Sequence, residues 1–158
     1  MKDSIKGGLN FGATSGVITT LGLMVGLHSG THSKLAVVGG VLIIAIADAF
    51  SDALGMHLSE ESKEESIKNI WEATFSTFFA KFFIAITFVF PVLLFPLGTA
   101  IIVSIIWGLL LLGILSYVLA RAQELNPLAV IGEHLIIALL VVILTHYVGD
   151  LIKAAFSY

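Results

Sequence analysis

The chain has 158 residues, 58% of them apolar and only 12% charged, with a mean hydropathy of +1.04. Soluble domains run about 45–50% apolar and about 25% charged, so a soluble fold is excluded. The absence of cysteine removes disulfide, zinc–thiolate and thiol chemistry, and a net charge of −3 offers no basic surface for nucleic acid.

A membrane-spanning helix takes about 20 residues. The apolar runs predict five, over about 9–27, 35–58, 75–95, 97–119 and 128–156, in one all-α transmembrane domain covering residues 1–158. The first run follows Lys2 and Lys6, yet no small-residue cleavage site follows it, so it reads as a mature helix rather than a signal. A short acidic segment over 59–74 separates the second and third. No charge occurs between Lys81 and Arg121, and Pro96-Leu97-Gly98 is the one strong breaker there, which predicts a helical hairpin. Asn126-Pro127 supplies a cap and a first-turn proline for the fifth helix. Five spans put the termini on opposite sides. Lys2, Lys6, Lys63, Lys68 and Arg121 against Lys34 and Lys153 place the amino terminus in the cytoplasm.

Helix one is poorly suited to lipid, because Asn10, Thr14, Ser15, Thr19 and Thr20 interrupt it, so protein must surround it. Gly8, Gly12, Ser15, Gly16, Thr19, Gly22 and Gly26 share one stripe that admits close helix packing, as in a homodimer, or in part lines a pathway. Helix two places Asp48 and Asp52 one turn apart at membrane depth, where ionisable groups are functional candidates. Asp48, Ser51, Asp52, Gly55, Met56, Ser59 and Glu60 make a drifting polar stripe. Carboxylates suit hard divalent cations, and the Met56 thioether adds preference for transition metals. Two ionised carboxylates so close repel, and either a metal ion or a proton relieves the conflict. Metal–proton exchange follows as an expectation, with Asp48, Asp52, Met56 and Glu60 as ligands. Hydrogen bonds from neighbouring hydroxyls are the plain structural alternative.

The remaining polar residues carry weaker signals. Lys81 falls about two turns into a helix that starts at Phe75, close enough to the interface to snorkel, and its second reading is as a partner for an acid. Eight of the eleven phenylalanines lie between Phe75 and Phe95, for packing and lipid contact. Glu60, Glu61, Glu64 and Glu65 either attract cations at the cytoplasmic mouth or form a solvated helix extension. Glu133, His134, His146 and Asp150 admit a proton relay, with Glu133, His146 and Asp150 as its members, or ordinary helix-end pairing. His28 and His32 receive no role.

The stretches Gly12 to Leu23 and Ala47 to Ser59, with a weaker match at Thr145 to Gly149, resemble the vacuolar iron transporter family. The resemblance covers about half of the chain. It implies five-helix homodimers that move ferrous iron, and often manganese, out of the cytoplasm, with a pathway lined here by Ser15, Thr19, Asp48, Ser51, Asp52 and Met56. Three departures stand out. Thr14-Ser15-Gly16 replaces the family's Ser-Asp-Gly, Ser51-Asp52-Ala53 replaces Ser-Met-Ala, and Gly55-Met56 replaces Gly-Glu. The site is then either rearranged or serves another cation. The cytoplasmic metal-collecting domain of the plant members is absent, since only about fifteen residues join helices two and three. The expectation is an integral protein of a prokaryotic plasma membrane that carries Fe2+ or Mn2+ in exchange for protons and is not an enzyme. A non-transporting scaffold of the same fold is the competing expectation. An intramembrane aspartyl hydrolase is disfavoured, because such enzymes bring their acids from different helices.

Overall fold

The computed structural model describes residues 3–156, and six helices account for nearly all of them. They are α1 (Asp3–Thr31), α2 (Lys34–Glu61), α3 (Ile67–Thr87), α4 (Val89–Leu94), α5 (Leu97–Ala122) and α6 (Pro127–Phe156). The α3 and α4 helices form one span interrupted at Phe88, so five apolar helices are long enough to cross a bilayer, and no strand occurs among the described residues. The protein is an all-α, five-helix integral membrane protein by the length and composition of these helices. Lys2, one of the basic residues that set the expected orientation, lies outside the described residues.

Capping side chains fix where the helices begin. Ser33 Oγ accepts from Ala36 N at 3.2 Å, and Ser66 Oγ from Asn69 N at 3.3 Å. Asn126 Oδ1 accepts from Leu128 N at 3.0 Å, directly before Pro127, as its sequence predicts. Positive φ follows three helices: at His32 (51°) directly after α1, at Glu64 (58°) in the turn after α2 and at Glu124 (57°) just beyond α5, each in a conformation that usually favours glycine. The interruption at Phe88 has a local cause. Pro91 has no N–H for the Thr87 carbonyl, and Phe88 N bonds to Ala85 O at 3.1 Å in a tightened turn. Lys34 Nζ then reaches the carbonyls of Leu93 and Phe95, both at 3.4 Å, at the end of α4.

The helices run past the expected spans. The acidic segment at 59–74 shrinks to a turn over 62–66, because α2 continues to Glu61 and Ser66 starts α3 eight residues before Phe75. Lys81 thereby moves from the start of its span to the middle.

The α1 helix is the hub, packing against α2, α3, α5 and α6. Its glycines set the distances. A methyl on Gly8 would lie 2.5 Å from the Ala73 carbonyl, one on Gly12 would overlap the Thr77 carbonyl, and one on Gly16 would come within 3.2 Å of the Lys81 carbonyl. Further along, Gly22 meets Val141, and Gly26 and Gly30 face Thr145 and Gly149 of α6. The glycine stripe is therefore used inside one chain, first against α3 and then against α6. The core built around it includes Val17, Leu21, Met24, Val37, Val41, Phe88 and Leu112. By contrast, α6 buries only Ala138 and Gly149.

Candidate functional site

Close approach of α1 to α3 has a chemical consequence one residue from Gly16. It brings the Ser15 hydroxyl within 2.9 Å of Lys81 Nζ. The same nitrogen lies 2.5 Å from Asp52 Oδ2 and 2.5 Å from Asp48 Oδ2, so one ammonium bridges two carboxylates a helical turn apart on α2. Ser15 Oγ donates to Asp52 Oδ2 at 2.6 Å, and Thr19 Oγ1 donates to the Ser15 carbonyl at 3.0 Å. Ser15, Asp48 and Lys81 each sit near the midpoint of their own span, so α1, α2 and α3 converge at mid-span on a polar network.

Lys81 is 1% exposed, which corrects its reading as a snorkelling residue. The reason is the earlier start of α3: four turns, not two, separate Lys81 from the helix end, and its stem cannot reach the interface. A buried ammonium requires counter-charge, and the two aspartates supply it. Counted as ionised groups, the network carries one net negative charge.

The two carboxylates are held differently. Asp52 Oδ2 receives hydrogen bonds from both Ser15 and Lys81. Asp48 Oδ2 forms an ion pair with Lys81 but lacks hydrogen-bond alignment with it, and this buried oxygen has no hydrogen-bond partner among the described residues. A groove of about 620 Å³ between α1 and α2, lined by Leu23, Leu27, Gly40, Ile44, Asp48 and Ser51, opens beside it. The lining is largely apolar and ends at the less satisfied carboxylate.

Other candidate residues fall elsewhere. Ser51 is exposed and shares the groove with Asp48, while Thr19 lines a neighbouring groove between α1 and α6. Met56 is half-buried one turn beyond Asp52, and Glu60 lies a further turn on, paired with Lys63 at 2.7 Å. Among the described residues, no three His, Cys, Asp or Glu side chains converge on one point suited to a metal ion. Glu60 instead lines a cavity of about 630 Å³ with Asp3, Ser4, Lys63, Glu65 and Asn69, at the end of the bundle where α1 begins.

On α6, Glu133 and His146 are separated by about 20 Å of helix, so Glu133, His146 and Asp150 do not form one continuous chain. His146 Nε2 stands 3.5 Å from Asp150 Oδ2, both half-exposed, and His146 Nδ1 is hydrogen-bonded to Ser29 of α1. Glu133 is exposed, whereas His134 contacts Ser116 of α5 at 2.7 Å. Ser116 Oγ spends its proton on the Leu112 carbonyl at 2.6 Å, so His134 Nδ1–H is the donor. His57, which sequence reasoning overlooked, bonds to Thr74 of α3 at 3.0 Å and sets its edge against Trp71. The Ser15–Lys81 pairing was likewise missed. A lone lysine in an otherwise charge-free stretch, counted from the Ser66 cap rather than from Phe75, was the signal available. No protein-family model matches this chain, and no curated protein sequence does.

Proposed function

We propose that the protein carries cations across the membrane, exchanging a divalent metal ion, iron or manganese, for protons, with Asp48 and Asp52 as the ion's carboxylate ligands. The observation that carries this reading is the excess of carboxylate over ammonium at the midpoint of three spans. An inert bundle has no use for ionisable groups at that depth, whereas an ion crossing the membrane needs a halfway station. Carboxylate oxygens favour hard divalent ions, and Met56 lies one turn along for an ion with softer preferences. The resemblance of Gly12 to Leu23 and Ala47 to Ser59 to the vacuolar iron transporter family supports the same substrate class and export from the cytoplasm.

The working unit in this proposal is a homodimer. Glycines 8, 12 and 16 are covered by the chain's own α3, so they give no support to a dimer. The face of α1 around Thr19, Leu23 and Leu27, left open between α2 and α6, is where a second copy would complete the lining.

A second reading has its own observation. Lys81 touches Ser15 and both carboxylates, which is what a purely structural clamp would also do. Purified protein in liposomes loaded with a metal-sensitive dye separates the two. Mn2+-dependent signal from the native chain, lost in Asp52→Ala, is the expected result. Folded protein with no uptake above empty liposomes would overturn the transporter in favour of the scaffold.

A further inference from the structure

We infer that Lys81 is a tethered competitor for the transported ion, and that it makes the site selective for divalent over monovalent cations. The inference rests on the reading of Asp48 and Asp52 as the ion's ligands and adds what decides which ion they accept.

The ammonium occupies the place a cation would take. It touches one oxygen of each carboxylate and the Ser15 hydroxyl, and among the described residues Lys81 is the only buried charged side chain. An arriving ion cannot share both carboxylates with it, because two positive charges held within a few ångströms repel strongly where water is scarce. The ion must displace the ammonium. A monovalent ion brings no more charge than the group it replaces, and Lys81 is already covalently at hand, so the exchange gains nothing. A divalent ion brings twice the charge to the same oxygens. The geometry also gives the exchange an order. Asp48 is the carboxylate beside the open groove, and its contact with Lys81 lacks hydrogen-bond alignment, so the ion engages there first. Asp52 keeps Lys81 longest, because Ser15 fixes its Oδ2 toward the ammonium. The flexible four-carbon stem of lysine permits such a partner change, whereas the rigid fork of arginine would hold both acids at once.

Mn2+ binding to purified full-length protein in detergent, read by electron paramagnetic resonance, tests this. Lys81→Met is expected to bind Mn2+ about tenfold tighter than the native chain or better. Added KCl, compared with choline chloride at equal ionic strength, should weaken Mn2+ binding to Lys81→Met and leave native binding unchanged. Lys81→Arg should bind Mn2+ no better than the native protein. Lys81→Met binding no tighter than the native protein, or equal indifference to K+, overturns the inference. Should Lys81→Met fail to fold, the pair Asp48→Asn and Asp48→Asn/Lys81→Met repeats the comparison on one carboxylate, with the same direction expected and the same result overturning it. Native liposome uptake keeps the two ideas apart. Uptake with no gain on removing Lys81 defeats the competitor alone. No uptake and no Mn2+ binding by any variant defeats the transport reading itself.

Discussion

The first three spans and the last two solve opposite problems with the same device. In α1, α2 and α3, glycines at the α1–α3 contact bring backbones close enough for a serine, a lysine and Asp52 to satisfy one another, with Asp48 paired to the same lysine at the edge of the groove. In α5 and α6 the helices are mostly apolar, and α6 leans on the bundle through a narrow strip in which Gly149 sits against Gly26 and Ser29. Close packing in the first region insulates charge, and in the second it simply holds a lipid-facing helix in place. Both use van der Waals contact, because lipid tails give apolar helices no reason to leave the lipid. Damage to the two regions should therefore have different signatures.

The largest effect is expected at Asp52. Asp52→Ala leaves Lys81 buried with one ionic contact, and loss of a buried partner costs about 3–5 kcal/mol. Uptake should vanish and unfolding in denaturing detergent should begin much earlier, a combination that unaltered uptake would break. Next comes Gly12→Ala, whose methyl overlaps the Thr77 carbonyl and forces α1 from α3. A stability loss of about 1–3 kcal/mol is expected, together with reduced uptake, since Ser15 lies less than one turn away. Gly149→Ala places its methyl 2.5 Å from the Gly26 carbonyl and should cost a similar amount of stability. Here, however, the uptake per folded molecule should hold. A selective loss of transport in Gly149→Ala would erase the distinction between the regions. The smallest effect is a gain: Glu124→Gly relieves a positive φ at the end of α5 and should raise stability by about 0.5–1 kcal/mol in thermal unfolding, without touching uptake.

The helices were legible because hydropathy over about 20 residues is a strong signal and each span has one. Pro96-Leu97-Gly98 and Asn126-Pro127 marked real boundaries for local reasons: a missing N–H and a capping amide act within a few residues. The start of α3 was not legible from hydropathy, since Ile67 to Thr74 is mixed in polarity and its helix is secured by the Ser66 cap and by contacts with α1. That single boundary decided the fate of Lys81. The break at Phe88 was a matter of Pro91, whose effect appears one turn upstream. Asp48 and Asp52 could be singled out from their depth alone. Their partners could not, because Ser15 and Lys81 are 37 and 29 residues from Asp52, and only the crossing of α1 over α3 makes them neighbours. Glu133 and His146 show the converse: a shared helix put them in one list, although the length of α6 keeps them apart.

The mid-span position of Asp48, Ser15 and Lys81 has an electrical meaning as well. An ion that reaches them from either face has crossed about half of the voltage drop, and a full crossing is worth about 2.3 kcal/mol per charge for each 100 mV. A doubly charged ion at this station therefore gains or loses about 2.3 kcal/mol per 100 mV before it has left the protein. If the aspartate pair binds the ion as proposed, its occupancy depends on the membrane potential, and energised and de-energised vesicles should load it unequally.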